Sequence, residues 1–191
     1  VKTELLQNGN VLDENITLFG FRTAVFLQDG FYLNGKKVKL RGLNRHQSYP
    51  YVGYAMPESM QKRDADILKN ELGVNAVRTS HYPQSRHFVE RCDELGLLVF
   101  TEIPGWQHIG DEIWKKQAVE NVKDMVEQYR NHPSVILWGV RINESGDDDA
   151  FYRETNRVAH ELDPTRQTGG VRAHKKSSLL AVSYTHLTLP T

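Results

Sequence analysis

From Val38 onward the chain repeats one rhythm. A short apolar, β-branched run ends in polar residues and is followed by a stretch with apolar positions at helical spacing. The first run is "KVKLRGLNRH", preceded by "FYLNGKK", whose Asn34-Gly35 pair predicts a hairpin turn. A helix is expected over 58–72, with Ser59 as its cap, Ile67, Leu68 and Leu72 on one face, and Gly73 as a left-handed stop. The second run, "VNAVRTS", leads into "SRHFVERCDEL", where Phe88, Val89, Cys92 and Leu95 share a side and Gly96 ends the helix. The third, "LLVFTEI", precedes a helix over 111–130 with Ala118, Val122, Met125, Val126 and Tyr129 in register. The fourth, "SVILWGVRI", precedes a helix over 148–162 carrying Phe151, Thr155, Val158 and Leu162.

Consecutive βα units with near-continuous apolar strands predict an α/β fold, a parallel sheet covered by helices. A doubly wound open sheet and a (β/α)8 TIM barrel both satisfy that pattern. A nucleotide-binding open sheet would carry a glycine-rich phosphate loop, and neither GxGxxG nor GxxxxGK[ST] occurs. Instead every strand ends in polar residues: Asn44, Arg45 and His46; Arg78, Ser80 and His81; Glu102; Asn143 and Glu144. A barrel would bring those ends to one mouth, where barrel enzymes place their chemistry. The expected fold is therefore the N-terminal half of a TIM barrel, with four to five βα units over residues 30–172. Residues 1–29 alternate polar and apolar positions ("NITLFGFRTAVFL") like the closing strands of a preceding β-domain. Residues 173–191 lose the rhythm, and the expectation is a foreign or disrupted segment.

Composition narrows the partners. Lys+Arg and Asp+Glu both number 24, giving a formal net charge of +0, and no long basic run occurs. Nucleic acid and anionic membrane surfaces, held by clustered Lys and Arg, are not expected partners. No apolar run approaches the roughly 20 residues that cross a bilayer, and the opening "VKTELLQNGN" lacks the pattern of a signal peptide. A soluble protein is expected, with the compartment left open. The single cysteine, Cys92, reads as a small buried thiol on a helix face.

Among the strand-end residues, Glu144 is the first candidate for chemistry. A carboxyl at the end of a buried strand is expected to have a raised pKa, as a general acid requires. The bland alternative is a salt-bridged glutamate closing the barrel top. Asn143 could hydrogen-bond a substrate hydroxyl, while Arg78 and Arg141 could each pair with a carboxylate. His46 and His81, at successive strand ends, are candidates for ligand contact or for simple loop capping. His46, His81, Glu102 and Glu144 include metal-ligand types, but no HxH, HExxH or cysteine cluster accompanies them. Loop-borne Trp106 could stack on a sugar face, whereas Trp138 reads as core. His132 reads as a turn residue, and His87, His160 and His174 as surface positions.

Taken together, "GLNRHQ", "NAVRTSHYP", "CDELGLLVFTEIPG", "RNHPSVILWGVRINES" and "LDPTR" resemble glycoside hydrolase family 2 in order and spacing, over about residues 19–172. "FGFR" at 19–22 resembles the junction between that family's immunoglobulin-like sandwich and its barrel. The resemblance implies retaining hydrolysis of a β-linked oligosaccharide or glycoside by two carboxylic acids. It puts Glu144 at the acid/base position, Asn143 at the amide that contacts the sugar 2-hydroxyl, Arg78 at the arginine orienting the nucleophile, and His46 and His81 in the sugar pocket. Glu102 matches a supporting position. The family's nucleophilic glutamate comes from a later strand and is absent from this chain.

Two departures stand out. The loop after strand three reads "IPGWQHIGDE" and lacks the Glu-x-His of the magnesium-binding galactosidases, so no cofactor or metal is expected, magnesium being unsupported by that loop. "WGVRINES" is longer than the commoner "WSLGNES", and Arg141 marks the difference. A β-galactosidase is the leading expectation, with β-glucuronidase and a non-catalytic sugar-binding half-barrel as alternatives. A homo-oligomeric full-length protein is left open.

Overall fold

A computed structural model describes residues 1–173. The chain begins with an antiparallel hairpin, β1 (Lys2–Gln7) and β2 (Asn10–Ile16), whose residues are all exposed. A second antiparallel sheet follows: β3 (Ala24–Leu27), β4 (Gly30–Leu33) and β5 (Lys36–Val38). Asn34 and Gly35 turn its second hairpin with φ of 50° and 76°, as a two-residue primed turn requires. This sheet spans residue 29, so Ala24–Leu27 pairs with the strand that follows it.

The remaining strands form one parallel sheet: β6 (Gly42–Arg45), β7 (Ala76–Thr79), β8 (Leu98–Glu102), β9 (Val135–Gly139) and β10 (Gln167–Gly169). Between them run α1 (Glu58–Asp66), α2 (Arg86–Leu95), α3 (Glu112–Tyr129) and α4 (Asp149–Leu162). The strands lie in sequence order, each pairing with the one before. An open doubly wound sheet would reverse direction at a switch point. Uninterrupted addition on one side is the winding of a barrel, and this is TIM-barrel architecture over its first five strands.

The first apolar run does not make one strand. Lys36–Val38 joins the small sheet and Gly42–Arg45 joins the barrel. Gly42 is where β6 comes close to β7, since a Cβ there would lie 2.4 Å from the Ala76 carbonyl oxygen.

Both faces of the central strands β8 and β9 are buried, whereas β6 exposes Leu43 and Asn44. On the outer face Val77, Val99, Val135 and Trp138 pack against Phe88 and Val89 of α2, Val122 and Met125 of α3, and Phe151 and Val158 of α4. On the inner face Leu98, Phe100, Ile136 and Leu137 meet Phe31 of β4, with Phe26, Leu33 and Val38 alongside. Leu98 and Ile136 lie at the N-terminal ends of their strands. The small sheet thus seals the apolar end of the barrel and leaves the polar end open.

Helix starts follow capping chemistry. Asp111 accepts from the Trp114 N–H (2.9 Å), Asp148 from Phe151 (3.0 Å) and Ser85 from His87 (3.3 Å). Gly96 ends α2 at φ 63°. The first helix departs from expectation. Pro57 starts it, its carbonyl accepting from Met60 and Gln61, which leaves Ser59 inside the first turn. α1 then widens into a π-helical turn, Ile67–Glu71, where the Leu72 N–H reaches back to the Ile67 carbonyl (2.9 Å). The extra residue rotates Leu72 off the buried face; Leu68 is buried and Leu72 exposed.

Several reactive-looking residues prove structural. Burial pushes the Cys92 thiol pKa up. His132 meets Asp93 at 2.6 Å, and Trp138 is fully buried with its indole N–H donating to Asp163 (3.0 Å). His174 and the tail beyond it lie outside the described residues. Among the described residues no helix is long and apolar enough to cross a membrane.

Phe88 is wholly buried, with the Arg45 guanidinium 4.0 Å above its ring. Phe88→Ala should lower stability by about 3–5 kcal/mol, whereas Ile113→Ala, on an exposed side chain, should stay within about 0.5 kcal/mol. Urea unfolding of the two variants checks the difference.

Candidate active site

The C-terminal ends of the parallel strands carry the polar residues to the open end. His46 follows β6, Arg78 lies on β7 with His81 just beyond, Glu102 ends β8, and Asn143 and Glu144 follow β9. Gly139 makes room for Glu102 on the neighbouring strand, because a Cβ there would sit 2.3 Å from the Glu102 Cβ.

Arg78 organises the floor. Its Nε and Nη2 donate to Glu102 Oε2 at 3.2 and 2.8 Å, and Nη2 also donates to Asn143 Oδ1 at 2.6 Å. Arg78, Glu102 and Asn143 are all buried. His81 Nδ1 lies 2.9 Å from Glu102 Oε1 and 3.1 Å from Arg78 Nη2. The Glu102 carboxylate can only accept, so a proton on Nδ1 makes this contact a hydrogen bond to Glu102 and leaves Nε2 as the other functional face of the ring. His46 packs edge-on to His81, ring centroids 5.4 Å apart.

Guanidinium groups only donate, so the Arg78 contact fixes the Asn143 amide with its oxygen inward. Asn143 Nδ2 is then a buried donor with no hydrogen-bond partner among the described residues. A buried unpaired donor is costly, and a ligand acceptor would relieve that cost.

Glu144 occupies the rim. It is exposed, in a left-handed conformation (φ 54°), with its backbone N–H donating to the Val171 carbonyl (2.9 Å). Its Oε2 accepts from the Trp106 indole Nε1–H at 3.0 Å and from Gln107 Nε2 at 3.4 Å. The loop bearing those donors is clipped to the same segment, the Gln107 N–H donating to the Asn143 carbonyl at 2.7 Å. The Trp106 hydrogen bond above all, helped by Gln107 and the positive field of His81 and Arg78, holds the Glu144 pKa below the usual glutamate value. The expectation of a raised pKa is therefore corrected. The side chain projects from the strand end into solvent, and donors outweigh desolvation.

The fold thus brings Glu144, Asn143, Arg78, His81, His46 and Trp106 to one end of the sheet. Arg141 pairs with a carboxylate as expected, that of Asp147 at 2.7 Å, and is itself buried. Gln107 was not singled out from the sequence. Its only signal is adjacency to Trp106 in a loop with no periodic pattern. Among the described residues no group of three or more His, Cys, Asp or Glu side chains is arranged to hold a metal ion.

Comparison with known proteins decides the family. A model described as "Glycosyl hydrolases family 2, TIM barrel domain" matches residues 25–186. The chain belongs to glycosyl hydrolase family 2. Among relatives in this family, a β-galactosidase of Thermoanaerobacterium thermosulfurigenes is 68% identical over 92% of the chain and 25% of its own length. A β-galactosidase of Thermoanaerobacter pseudethanolicus is 58% identical over 97% of the chain and 25% of its own. The solved apo structure of Bacteroides uniformis β-glucuronidase 3 superposes with a TM-score of 0.80 at 43% identity, covering 88% of the chain and 23% of that protein. The chain spans about a quarter of the length of these family 2 relatives.

Trp106→Phe keeps the ring and removes its N–H. The Glu144 pKa should then rise toward the ordinary glutamate range, with the carboxylate form receding to higher pH. The pH dependence of the Glu144 carboxyl carbon resonance, followed by NMR, checks this; an unmoved titration would show that the indole is not the controlling donor.

Proposed function

We propose that the chain supplies the acid/base side of a retaining β-glycosidase, most naturally a β-galactosidase, and is inactive by itself. The observation that carries the reading is the pairing of an exposed carboxylate at the barrel rim, Glu144, with the buried, unpartnered amide donor of Asn143 beside it. Such a pair can grip a sugar hydroxyl while a proton is exchanged at the neighbouring glycosidic oxygen. The β-galactosidase names of the relatives at 68% and 58% identity favour a galactoside. A β-glucuronide is the second reading, favoured by the likeness to the B. uniformis β-glucuronidase.

In this mechanism Glu144 protonates the leaving oxygen as a second carboxylate attacks the anomeric carbon, and then takes a proton from the water that releases the sugar. The attacking carboxylate is expected from a later strand, outside the 191 residues. Arg78 orients it from the floor, His46 and His81 line the sugar pocket, and Trp106 stands beside the aglycone.

The low pKa of Glu144 fits one half of the cycle directly. A second carboxylate about 5–5.5 Å away would raise it by charge repulsion and by narrowing access to water. Once that carboxylate is esterified by the sugar its charge is gone. The Trp106 and Gln107 donors then favour the ionised form of Glu144, the form that accepts a proton.

Glu144→Gln in the full-length protein should cut hydrolysis of poorly activated aryl β-galactosides by roughly 10²- to 10⁴-fold. Dinitrophenyl substrates, whose departure needs no proton, should lose far less. Steady-state kinetics across a leaving-group series checks it, and equal losses throughout would contradict the acid role. Nitrophenyl β-galactoside and β-glucuronide tested side by side on the unaltered protein separate the two substrate readings.

A further inference from the structure

The sugar-hydrolysis reading leaves Arg141 unexplained, although it is one of the most heavily engaged side chains near the site. Its Nη2 donates to the Ser145 carbonyl (3.1 Å), the Gly146 carbonyl (2.8 Å) and Asp147 Oδ1 (2.7 Å). Its guanidinium lies 4.4 Å from the Tyr152 ring centroid on α4. The Tyr152 hydroxyl meets Ser145 Oγ at 2.5 Å, and Ser145 Oγ donates to the Ile142 carbonyl at 2.8 Å. The space beside Gly170 is taken by the Arg141 stem, since a Cβ at that glycine would lie 2.4 Å from the Arg141 Cβ.

These contacts close a loop around one residue. Arg141 grips the carbonyls immediately after Glu144, Ser145 ties the chain back to the residue before Asn143, and the Glu144 N–H is held by Val171 (2.9 Å). Between those anchors Glu144 keeps a left-handed φ of 54°, a conformation that costs a non-glycine residue free energy and persists only when its surroundings impose it. We infer that Arg141, seated on Tyr152 and reaching over Ser145, is the positioning residue that holds the Glu144 backbone turn, and so aims the proton-transfer carboxyl at the leaving oxygen. The inference rests on the acid/base reading of Glu144 given above.

A residue that acts only through the aim of Glu144 should cost activity only where proton transfer matters. Arg141→Met removes the three hydrogen bonds and keeps an apolar stem over Tyr152. In the full-length protein, kcat/KM for phenyl β-galactoside should fall roughly 10- to 100-fold, while the dinitrophenyl substrate changes little. In a Glu144→Gln background the same substitution should add no further leaving-group sensitivity, because the two changes remove one function. Equal losses for both substrates, or an undiminished additional loss in the Glu144→Gln background, would overturn the positioning role and leave Arg141 a stability residue. A Glu144→Gln protein with no leaving-group dependence would instead overturn the acid/base reading, and this inference with it. Should Arg141→Met fail to fold, Tyr152→Phe removes the hydroxyl that meets Ser145 and the Ile142 backbone while keeping the ring under Arg141. It should shift the phenyl-to-dinitrophenyl ratio in the same direction, and an unshifted ratio would refute the positioning role.

Discussion

The site depends on one buried ion pair. Arg78 and Glu102 sit on adjacent strands, both shielded from water, with the guanidinium 2.8 Å from the carboxylate. Removing either partner of such a pair leaves a buried charge uncompensated, at a cost of about 3–5 kcal/mol. The pair is satisfied on nearly every side. Glu102 uses one oxygen for Arg78 and the other for His81, and the Arg78 Nη2 that meets Glu102 also donates to Asn143. Through this pair the residues after three strands hold fixed positions relative to one another. The bare Gly139 on β9 makes the arrangement sterically possible.

The barrel itself is polarised. Its inner face runs from Leu98 through Phe100 to Glu102 along a single strand, from the apolar seal under Phe31 to the charged mouth. The seal keeps one end dry and costs no polar groups, while the polar end is left for chemistry. Within the mouth, Asn143 and Glu144 are adjacent in sequence yet opposite in environment. The first is buried with its amide fixed by Arg78; the second is exposed and tuned by Trp106. A fixed donor beside a solvated titratable group suits the proposed reaction, which has to hold a sugar still and pass a proton to and from water.

Much of this was legible in the sequence because its causes are local. Apolar strands such as "VILW" and helices with Phe88, Val89 and Cys92 on one face declare themselves by periodicity, and the polar strand ends converge because parallel strands share a direction. What escaped was long-range or one residue deep. The ionisation of Glu144 is set by an indole 38 residues earlier in the chain. Arg141 was expected to pair with a carboxylate and does, but that its partners would be Asp147 in the following loop and Tyr152 on α4 was not legible. The π-helical turn at Ile67–Glu71 displaced Leu72 by a single position that periodicity could not register. The family itself was readable from five short motifs taken jointly, and the match over residues 25–186 bears it out.

The proposed reaction uses two carboxylates, Glu144 handling the proton and another residue attacking the sugar. An activated 2-deoxy-2-fluoro-β-galactoside, which slows release of the covalent intermediate, tests it in the full-length protein. Peptide mapping by mass spectrometry should find the fluorosugar on a single carboxylate outside residues 1–191, with Glu144 and Glu102 unlabelled. A label on either of those glutamates, or inactivation with no covalent adduct at all, would contradict the account.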